Sequence, residues 1–305
     1  MPSLRARCMS AAVRLLVRTR DWGDERALAR RARRLFGTPP AVAWMATPGL
    51  RRERVRAAGV RGEWIVPPRA EPGVVLYLHG GGYVACSPAT HRPITAALAR
   101  RTGRRVLAVD YRLAPEHRFP AAVNDVTAAY RWLLDAGTPP HAIALAGDSA
   151  GGGLVLALLA RCRAAGVPMP ACAVCISPWT DLTGSGDSVR ANAGRDAMFE
   201  PENLDAFARA YLGDASPIDA EASPLFAEPA GLPPLLLQVG STELLLDDAR
   251  RVHERVRAAG GVSHLEVYDD VPHGWQMLVG FVPEATAALR SAAAFVCEHL
   301  AAART

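Results

Sequence analysis

Two glycine-rich turns, about seventy residues apart, hold the residue types that hydrolysis at a carbonyl carbon requires. Residues 147–151 read Gly-Asp-Ser-Ala-Gly and fit G-x-S-x-G, a tight strand-to-helix bend that exposes a serine hydroxyl above a sheet. Residues 79–82 read His-Gly-Gly-Gly and supply backbone N–H groups that can hold a negative oxygen. Each turn directly follows a short apolar run, at residues 74–78 and 143–146. The pair predicts a serine hydrolase with Ser149 as its nucleophile.

A serine hydroxyl needs a base within hydrogen-bonding reach, and that base needs a carboxylate to fix its tautomer. In a parallel sheet of this kind, the expected chain order is serine, acid, histidine. We favour His273 as the base, because it lies in the turn at residues 271–275, just after the strand-like run at 265–268. His79 belongs to the first glycine turn, His117 precedes the nucleophile, and His264 opens a strand. The remaining histidines are assigned to positions on or beside helices that face away from the site: His91, His141, His253 and His299.

Three carboxylates follow the apolar run at residues 235–239, where the acid is expected. Glu243 is nearest to the end of that run and is favoured. Asp247 lies one helical turn later and stays open as the alternative, whereas Asp248 is interpreted as a charge at a helix terminus.

The elements that must position these residues alternate between strand and helix from residue 73 onward. Strands are expected at 54–60, 63–66, 74–78, 105–110, 142–146, 171–176, 234–239 and 264–268. Helices are expected from Pro88, with Ser87 as N-cap, and at 120–135, 150–164, 246–259 and 284–302. Because most strands are continuously apolar, the pattern predicts an α/β fold whose mostly parallel sheet carries helices on both faces.

Two stretches interrupt this alternation and are predicted to form a helical cap over the site. One is residues 1–45, with amphipathic helices expected at 3–20 and 24–36. The other is the polar insertion at residues 181–232, with one helix near 201–212. The core is then built from residues 46–180 and 233–305. Apolar side chains available to line a substrate pocket, each with core packing as the alternative, are Tyr83, Trp179, Met198, Phe199, Trp44 and Met45.

The composition is that of a globular protein with one large core: 305 residues, 50% apolar and 21% charged. No apolar run reaches the roughly eighteen residues that span a membrane. Arginines interrupt the first eighteen residues, so no signal peptide and a cytoplasmic location are expected. Residues 1–69 carry a net charge of +11. A solvated basic face is the favoured interpretation, and a membrane surface or an anionic partner is the alternative.

The remaining residues with reactive side chains do not indicate a second chemistry. Cys172 and Cys175 form C-x-x-C inside an apolar run, where an offset of three places them on opposite faces of a strand as buried thiols. No cluster has the ligand spacing of a metal site, and neither glycine run fits a nucleotide-binding motif. We therefore expect no cofactor, no metal and no nucleic-acid partner.

From Val74 to Trp275, the chain resembles the hormone-sensitive-lipase-like carboxylesterases of the α/β-hydrolase fold. The motifs that carry this resemblance are HGGGY at 79–83, DYRLAPEH at 110–117 with FPAA at 119–122, GDSAGG at 147–152, and His-Gly at 273–274. The resemblance implies that Ser149 is the nucleophile, that His273 is the base, and that the oxyanion is bound by the N–H groups of Gly81, Gly82 and Ala150. The acid of that family is usually an aspartate in D-x-L-x-D, which here reads Glu-Leu-Leu-Leu-Asp at 243–247.

The predicted activity is hydrolysis of short- to medium-chain carboxylic esters through an acyl-enzyme intermediate. Two alternatives use the same residues: a lactone hydrolase, and a hydrolase that removes an N-acetyl group from a small metabolite. A third is a small-molecule receptor on a hydrolase fold, which the presence of His273 disfavours. The expected partner is a small ester; a homodimer is compatible with this interpretation, and stable insertion into a membrane is not expected.

Overall fold

A computed structural model describes residues 2–18, 22–37 and 46–302. Trp44 and Met45, two of the side chains considered for the pocket, lie outside the described residues.

An eight-stranded sheet organises the described residues in the order β1-β2-β4-β3-β5-β6-β7-β8. Its strands are Arg51–Ala57 (β1), Val60–Val66 (β2), Glu71–Leu78 (β3), Arg104–Asp110 (β4), Ile143–Asp148 (β5), Cys172–Ile176 (β6), Leu235–Gly240 (β7) and Ser263–Tyr268 (β8). The pairs β1–β2 and β2–β4 are antiparallel and the others are parallel. Strands β5, β6 and β7 are buried along their whole length, as their apolar sequences require.

Helices cover both faces of this sheet. They are Leu4–Leu16 (α1), Glu25–Leu35 (α2), Arg92–Thr102 (α3), Ala121–Asp135 (α4), Ala150–Ala164 (α5), Asp187–Ala191 (α6), Pro201–Leu212 (α7), Leu246–Ala258 (α8) and Pro283–Ala302 (α9). Apolar side chains of α3 and α9 pack on one face with Val75 and Tyr77 of β3. Those of α4, α5 and α8 pack on the other face with Leu76 and Leu78. The predicted fold class is therefore confirmed.

The cysteine prediction is also confirmed. Cys172 and Cys175 of β6 are both buried, and they belong to the apolar clusters on opposite faces of the sheet. Burial raises the pKa of the Cys172 thiol to about 12, so this pair does not have the thiolate character of a redox motif.

Several element boundaries differ from the sequence prediction by three or four residues. The β1–β2 hairpin turns at Ala58 and Gly59, which both have positive φ, three residues before the expected turn. Helix α3 begins at Arg92, after a turn in which the Ser87 N–H donates to Thr90 Oγ1 at 3.0 Å. Ser87 is therefore not the N-cap, since His91 occupies that position.

Three leucines of helix α1 face solvent. Leu4, Leu15 and Leu16 are 74%, 83% and 72% exposed, while Ala6 on the other side of the helix is buried near Val271. These leucines of the amphipathic helix expected at residues 3–20 thus form part of the outer surface of the molecule. Of the helices that the structure describes, α1 included, none is both long and apolar enough to cross a membrane.

Candidate active site

The serine turn joins the central strand β5 to helix α5. Ser149 has φ 54° and ψ −123°, a strained conformation for a residue with a side chain. The turn is tight because Gly151 packs directly against the end of β3: a Cβ at this position would lie 2.0 Å from the Leu78 carbonyl oxygen. The Ser149 N–H donates to the Ile176 carbonyl at 2.8 Å, and the Trp179 N–H donates to the Ser149 carbonyl at 3.0 Å. Backbone hydrogen bonds to the segment at residues 176–179 therefore fix the position of Ser149.

The first glycine turn lies beside the serine turn. Gly81 has φ 119°, and its carbonyl accepts from the N–H groups of Val84 and Ala85 at 3.2 and 3.0 Å. Gly81, Gly82 and Ser149 all line one cavity. Ala150 is the first residue of α5, so its amide is among the first-turn N–H groups that have no partner within a helix. The amides expected to bind an oxyanion are thus grouped around Ser149.

Asp148 connects the two glycine turns. Its carboxylate accepts from the Gly80 N–H at 3.0 Å and from the Tyr77 hydroxyl at 2.6 Å, and it lies 3.1 Å from Nε2 of His91. Burial alone would raise the pKa of Asp148, but His91 and the hydrogen bonds outweigh it, so the pKa lies below its ordinary value. The carboxylate is therefore charged at neutral pH.

His91 corrects the sequence prediction that it lies on a helix facing away. It is buried against Asp148 and lines the same cavity as Ser149. His79 is bound within the first turn as expected, with Nδ1 2.8 Å from the Gly80 carbonyl and its ring stacked on Tyr111. Burial lowers the pKa of His79 to about 3, with His91 contributing, so its ring is neutral.

His273 and Glu243 form a buried pair. Both follow strand ends, Glu243 after β7 and His273 after β8. Nδ1 of His273 lies 2.5 Å from Oε2 of Glu243. The other carboxylate oxygen, Oε1, accepts from the Gly240 N–H at 2.6 Å and from the Ser177 hydroxyl at 2.8 Å. Burial alone would lower the pKa of His273, but the Glu243 carboxylate reverses this and the pKa lies above its ordinary value.

The other two carboxylates of this region are bound elsewhere. Asp247, the alternative acid, accepts from the Ser188 N–H at 2.8 Å. Asp248 is buried and accepts from the backbone N–H groups of Thr180 and Asp181 at 2.6 and 2.9 Å. It lies in the first turn of α8, as expected, and its contacts connect this helix to the segment at residues 180–181.

The cavity has a volume of about 420 Å³ and mostly apolar walls. His273 lines it together with Ser149. Of the six side chains considered for the pocket, four are described by the structure, and three of these line the cavity: Trp179, Met198 and Phe199. Tyr83 is the exception among these four. It is 1% exposed and stacks on Tyr211 with ring centroids 3.8 Å apart, behind the residues that line the cavity. The core-packing alternative is the correct one for Tyr83.

Residues 75–277 match the model of a family with the alpha/beta hydrolase fold. The chain belongs to this family. An acetyl-hydrolase of Streptomyces hygroscopicus is 44% identical to this chain over 234 residues, which are 77% of this chain and 78% of that protein. An esterase of Acinetobacter venetianus is 40% identical over 242 residues, which are 79% and 80% of the two chains.

The same relationship holds in three dimensions. The crystal structure of an esterase from the bacterial hormone-sensitive lipase family matches the hydrolase with a TM-score of 0.90 at 43% identity, and covers 98% of this chain and 99% of that one. The resemblance stated from the sequence motifs is therefore confirmed, and so is the enzyme class, carboxylic ester hydrolase.

Two buried groups of the hydrolase site were missed in the sequence. One is His91, described above. The other is Asp196, a third carboxylate near the His273–Glu243 pair, contributed by the stretch 181–232. The only signal for Asp196 was an acidic residue directly before the apolar Ala-Met-Phe at residues 197–199, which is weak because acidic residues are frequent in that stretch.

Proposed function

We propose that the hydrolase cleaves short- to medium-chain carboxylic esters, with Ser149 as nucleophile, His273 as general base and Glu243 as the acid that orients His273. The observation that carries this proposal is the buried His273–Glu243 hydrogen bond of 2.5 Å in the wall of the cavity that Ser149 also lines.

The reaction begins when the Ser149 hydroxyl attacks the ester carbonyl and gives its proton to Nε2 of His273. Glu243 accepts the Nδ1–H hydrogen bond, which fixes the tautomer and stabilises the imidazolium that forms. The N–H groups of Gly81, Gly82 and Ala150 bind the oxyanion. His273 then protonates the departing alcohol, and a water molecule repeats these steps on the acyl-enzyme. This sequence of steps needs no metal or cofactor.

The proposed substrate preference is supported by the cavity. Its volume of about 420 Å³ lies near the lower end of the range for small-molecule sites, and its walls are mostly apolar. Val13, Val17 and Leu35 contribute from residues 1–45, and Leu204 and Phe207 from residues 181–232. These contributions support our proposal that the two stretches form a cap over the site.

The test is hydrolysis of p-nitrophenyl esters with acyl chains of two to twelve carbons by the wild type and by Ser149→Ala. We expect turnover to be greatest at short to medium chains and to fall about 10⁴- to 10⁶-fold in Ser149→Ala. Labelling of the wild type, but not of the variant, by a fluorophosphonate is the matching covalent readout. Near-normal hydrolysis by Ser149→Ala would refute the proposal, and failure of the wild type to label would favour the receptor alternative.

Removal of an acetyl group is the second candidate function, because the Streptomyces hygroscopicus relative at 44% identity is an acetyl-hydrolase. Turnover of the same enzyme on acetate esters, N-acetyl amides and lactones separates the candidates. A kcat/KM on an N-acetyl amide above that on every ester would replace the ester proposal.

A cytoplasmic location is supported by the six cysteines, all of which are free thiols. A homodimer stays a prediction, which light scattering after size-exclusion chromatography tests directly.

A further inference from the structure

The turn that carries Glu243 is held by side chains from the stretch 181–232. We call residues 188–199 the acid clamp. The Asn192 side-chain amide donates to the carbonyls of Ser241 and Glu243 at 3.2 and 2.8 Å. The Ser188 hydroxyl donates to the Leu244 carbonyl at 2.6 Å. The position of the Glu243 backbone therefore depends on residues far from it in sequence.

Asp196 is the charged member of the acid clamp. Its side chain is 2% exposed. Oδ2 accepts from the Leu244 N–H at 2.9 Å, and Oδ1 accepts from the N–H groups of Met198 and Phe199 at 2.7 and 3.0 Å. One carboxylate thus binds the residue after Glu243 with one oxygen and the backbone of Phe199 with the other.

Phe199 connects this carboxylate to the base. Its ring meets the His273 imidazole with centroids 5.2 Å apart, at 68°. Asp196 therefore supports two groups that contact His273: the carboxylate of Glu243, through the turn, and the ring of Phe199, through its backbone.

We propose that Asp196 is a positioning residue for the hydrolytic reaction: it holds Glu243 and Phe199 against His273 and adds a further negative charge that stabilises the imidazolium. The proposal rests on the proposed function and deepens it. The carboxylate does not touch the substrate or the reacting atoms.

The electrostatic part of the proposal follows from the charged groups that interact with the His273 imidazole. Three carboxylates from three parts of the fold do so: Glu243 after β7, Asp196 from the acid clamp, and Asp148 at the end of β5. Each one raises the pKa of His273, against burial, which lowers it. A charge that is in place before the reaction stabilises the imidazolium without reorganisation.

The charge state of Asp196 is set by opposing effects. Burial, the largest effect, and the neighbouring Glu243 carboxylate raise the pKa of Asp196. His273 and the N–H groups of Phe199 and Leu244 lower it, but the pKa stays above its ordinary value. Formation of the imidazolium during the reaction therefore favours the charged form of Asp196.

Arg14 of α1 and Arg18, just after the end of that helix, hold the outer side of the acid clamp. Arg14 donates to the carbonyls of Gly194 and Arg195 at 2.7 and 2.6 Å, and Arg18 pairs with Glu200. These guanidinium groups bind backbone carbonyls and a different carboxylate, whereas the Asp196 carboxylate accepts from three backbone amides.

The test compares Asp196→Asn with a matched control, Asp187→Asn, an exposed aspartate of α6 that pairs with Arg190. For Asp196→Asn we expect kcat on p-nitrophenyl butyrate to fall about three- to tenfold with little change in KM. The acid midpoint of the kcat/KM–pH profile should move down by about 0.5 to 1 pH unit, since a negative charge facing His273 is lost. Asp187→Asn should keep the wild-type kcat and midpoint.

A purely structural role would lower the melting temperature of Asp196→Asn and leave the midpoint unchanged, and that result would overturn the proposal. The pKa of His273, read from its imidazole resonance by proton NMR, gives the same comparison without activity. If Asp196→Asn does not fold, as judged by circular dichroism, the Asp196→Glu variant tests the positioning role instead. This variant keeps the charge but lengthens the side chain, so we expect a reduced kcat at an unchanged midpoint, and a wild-type kcat would refute the positioning role. Ser149→Ala tests the proposed function separately, because its result does not depend on Asp196.

Discussion

The phenyl ring of Phe199 meets the imidazole of His273 edge to face, with centroids 5.2 Å apart and 68° between the planes. Phe199 makes similar contacts with Phe36 and Phe207, at 6.4 and 6.3 Å. A residue of the proposed cap therefore limits the orientations open to the base, and it forms part of the cavity wall at the same time.

Replacing Phe199 by alanine should affect both roles. We expect kcat/KM on p-nitrophenyl butyrate to fall about two- to tenfold, because an aromatic contact of this kind contributes about 0.5–1.5 kcal/mol. The preferred acyl chain should become longer, since the cavity is enlarged. The measurement is the chain-length series on the variant, with Phe226→Ala, a partly exposed phenylalanine away from the cavity, as the control. An unchanged chain-length preference would contradict the assignment of Phe199 to the substrate wall.

Glu243→Gln should reduce kcat about 10³- to 10⁴-fold. The amide would present either an N–H group to Nδ1 of His273, which favours the wrong tautomer, or a neutral oxygen that stabilises the imidazolium poorly. Asp247→Asn is the control, because Asp247 binds the Ser188 N–H and was the alternative acid in the sequence. Steady-state kinetics of both variants decide between the two carboxylates, and a greater loss in Asp247→Asn would reverse the assignment.

The pH dependence of kcat/KM should show an acid limb with its midpoint above 6.5, the ordinary pKa of histidine. His273 must be neutral to accept the serine proton, so activity rises with pH as the imidazolium loses its proton. Because the Glu243 carboxylate raises the pKa of His273 in spite of burial, the midpoint is displaced upward. Initial rates between pH 5 and 9 measure it. A midpoint at or below 6.5 would show that the pair does not stabilise the imidazolium.

His91→Ala should destabilise the fold by about 2–4 kcal/mol at pH 7, because it leaves the buried Asp148 carboxylate without its imidazole partner. Urea unfolding followed by circular dichroism gives the free energy of unfolding. His141→Ala, at an exposed histidine before β5, is the control and should change it by less than about 0.5 kcal/mol. Equal stability of the two variants would show that Tyr77 and Gly80 suffice to hold Asp148.

Ser149 was predicted from its G-x-S-x-G motif, and Glu243 and His273 from one rule: the base and the acid are expected after the carboxyl ends of parallel strands. This rule needs only the strand ends, which are marked by apolar runs and glycines, and small errors in a boundary do not change the order of the loops. The choice of Glu243 over Asp247 rested on distance from the strand end, and the structure brings Glu243 to His273.

His91 and Asp196 were missed because their partners are set by packing between distant segments. The helix after the first glycine turn was expected to begin at Pro88; it begins at Arg92, and this places His91 at its N-terminus, where the imidazole reaches Asp148. Asp196 binds the amide of Leu244, 48 residues later, and no local pattern indicates that contact. The exposure of the α1 leucines could not be predicted for the same reason. Periodicity shows that a helix has an apolar side, but it does not show which other segments cover that side.

Position 151 illustrates how little freedom the serine turn allows. Even a methyl group there would occupy the space of the Leu78 carbonyl oxygen, which is itself backbone and has no rotamer with which to move aside. A library randomised at this codon should therefore return glycine alone among its active clones, whereas position 166, a surface glycine with open space around it, should accept many replacements with only a modest loss of stability. For protein engineers, residue 151 is the place to leave untouched.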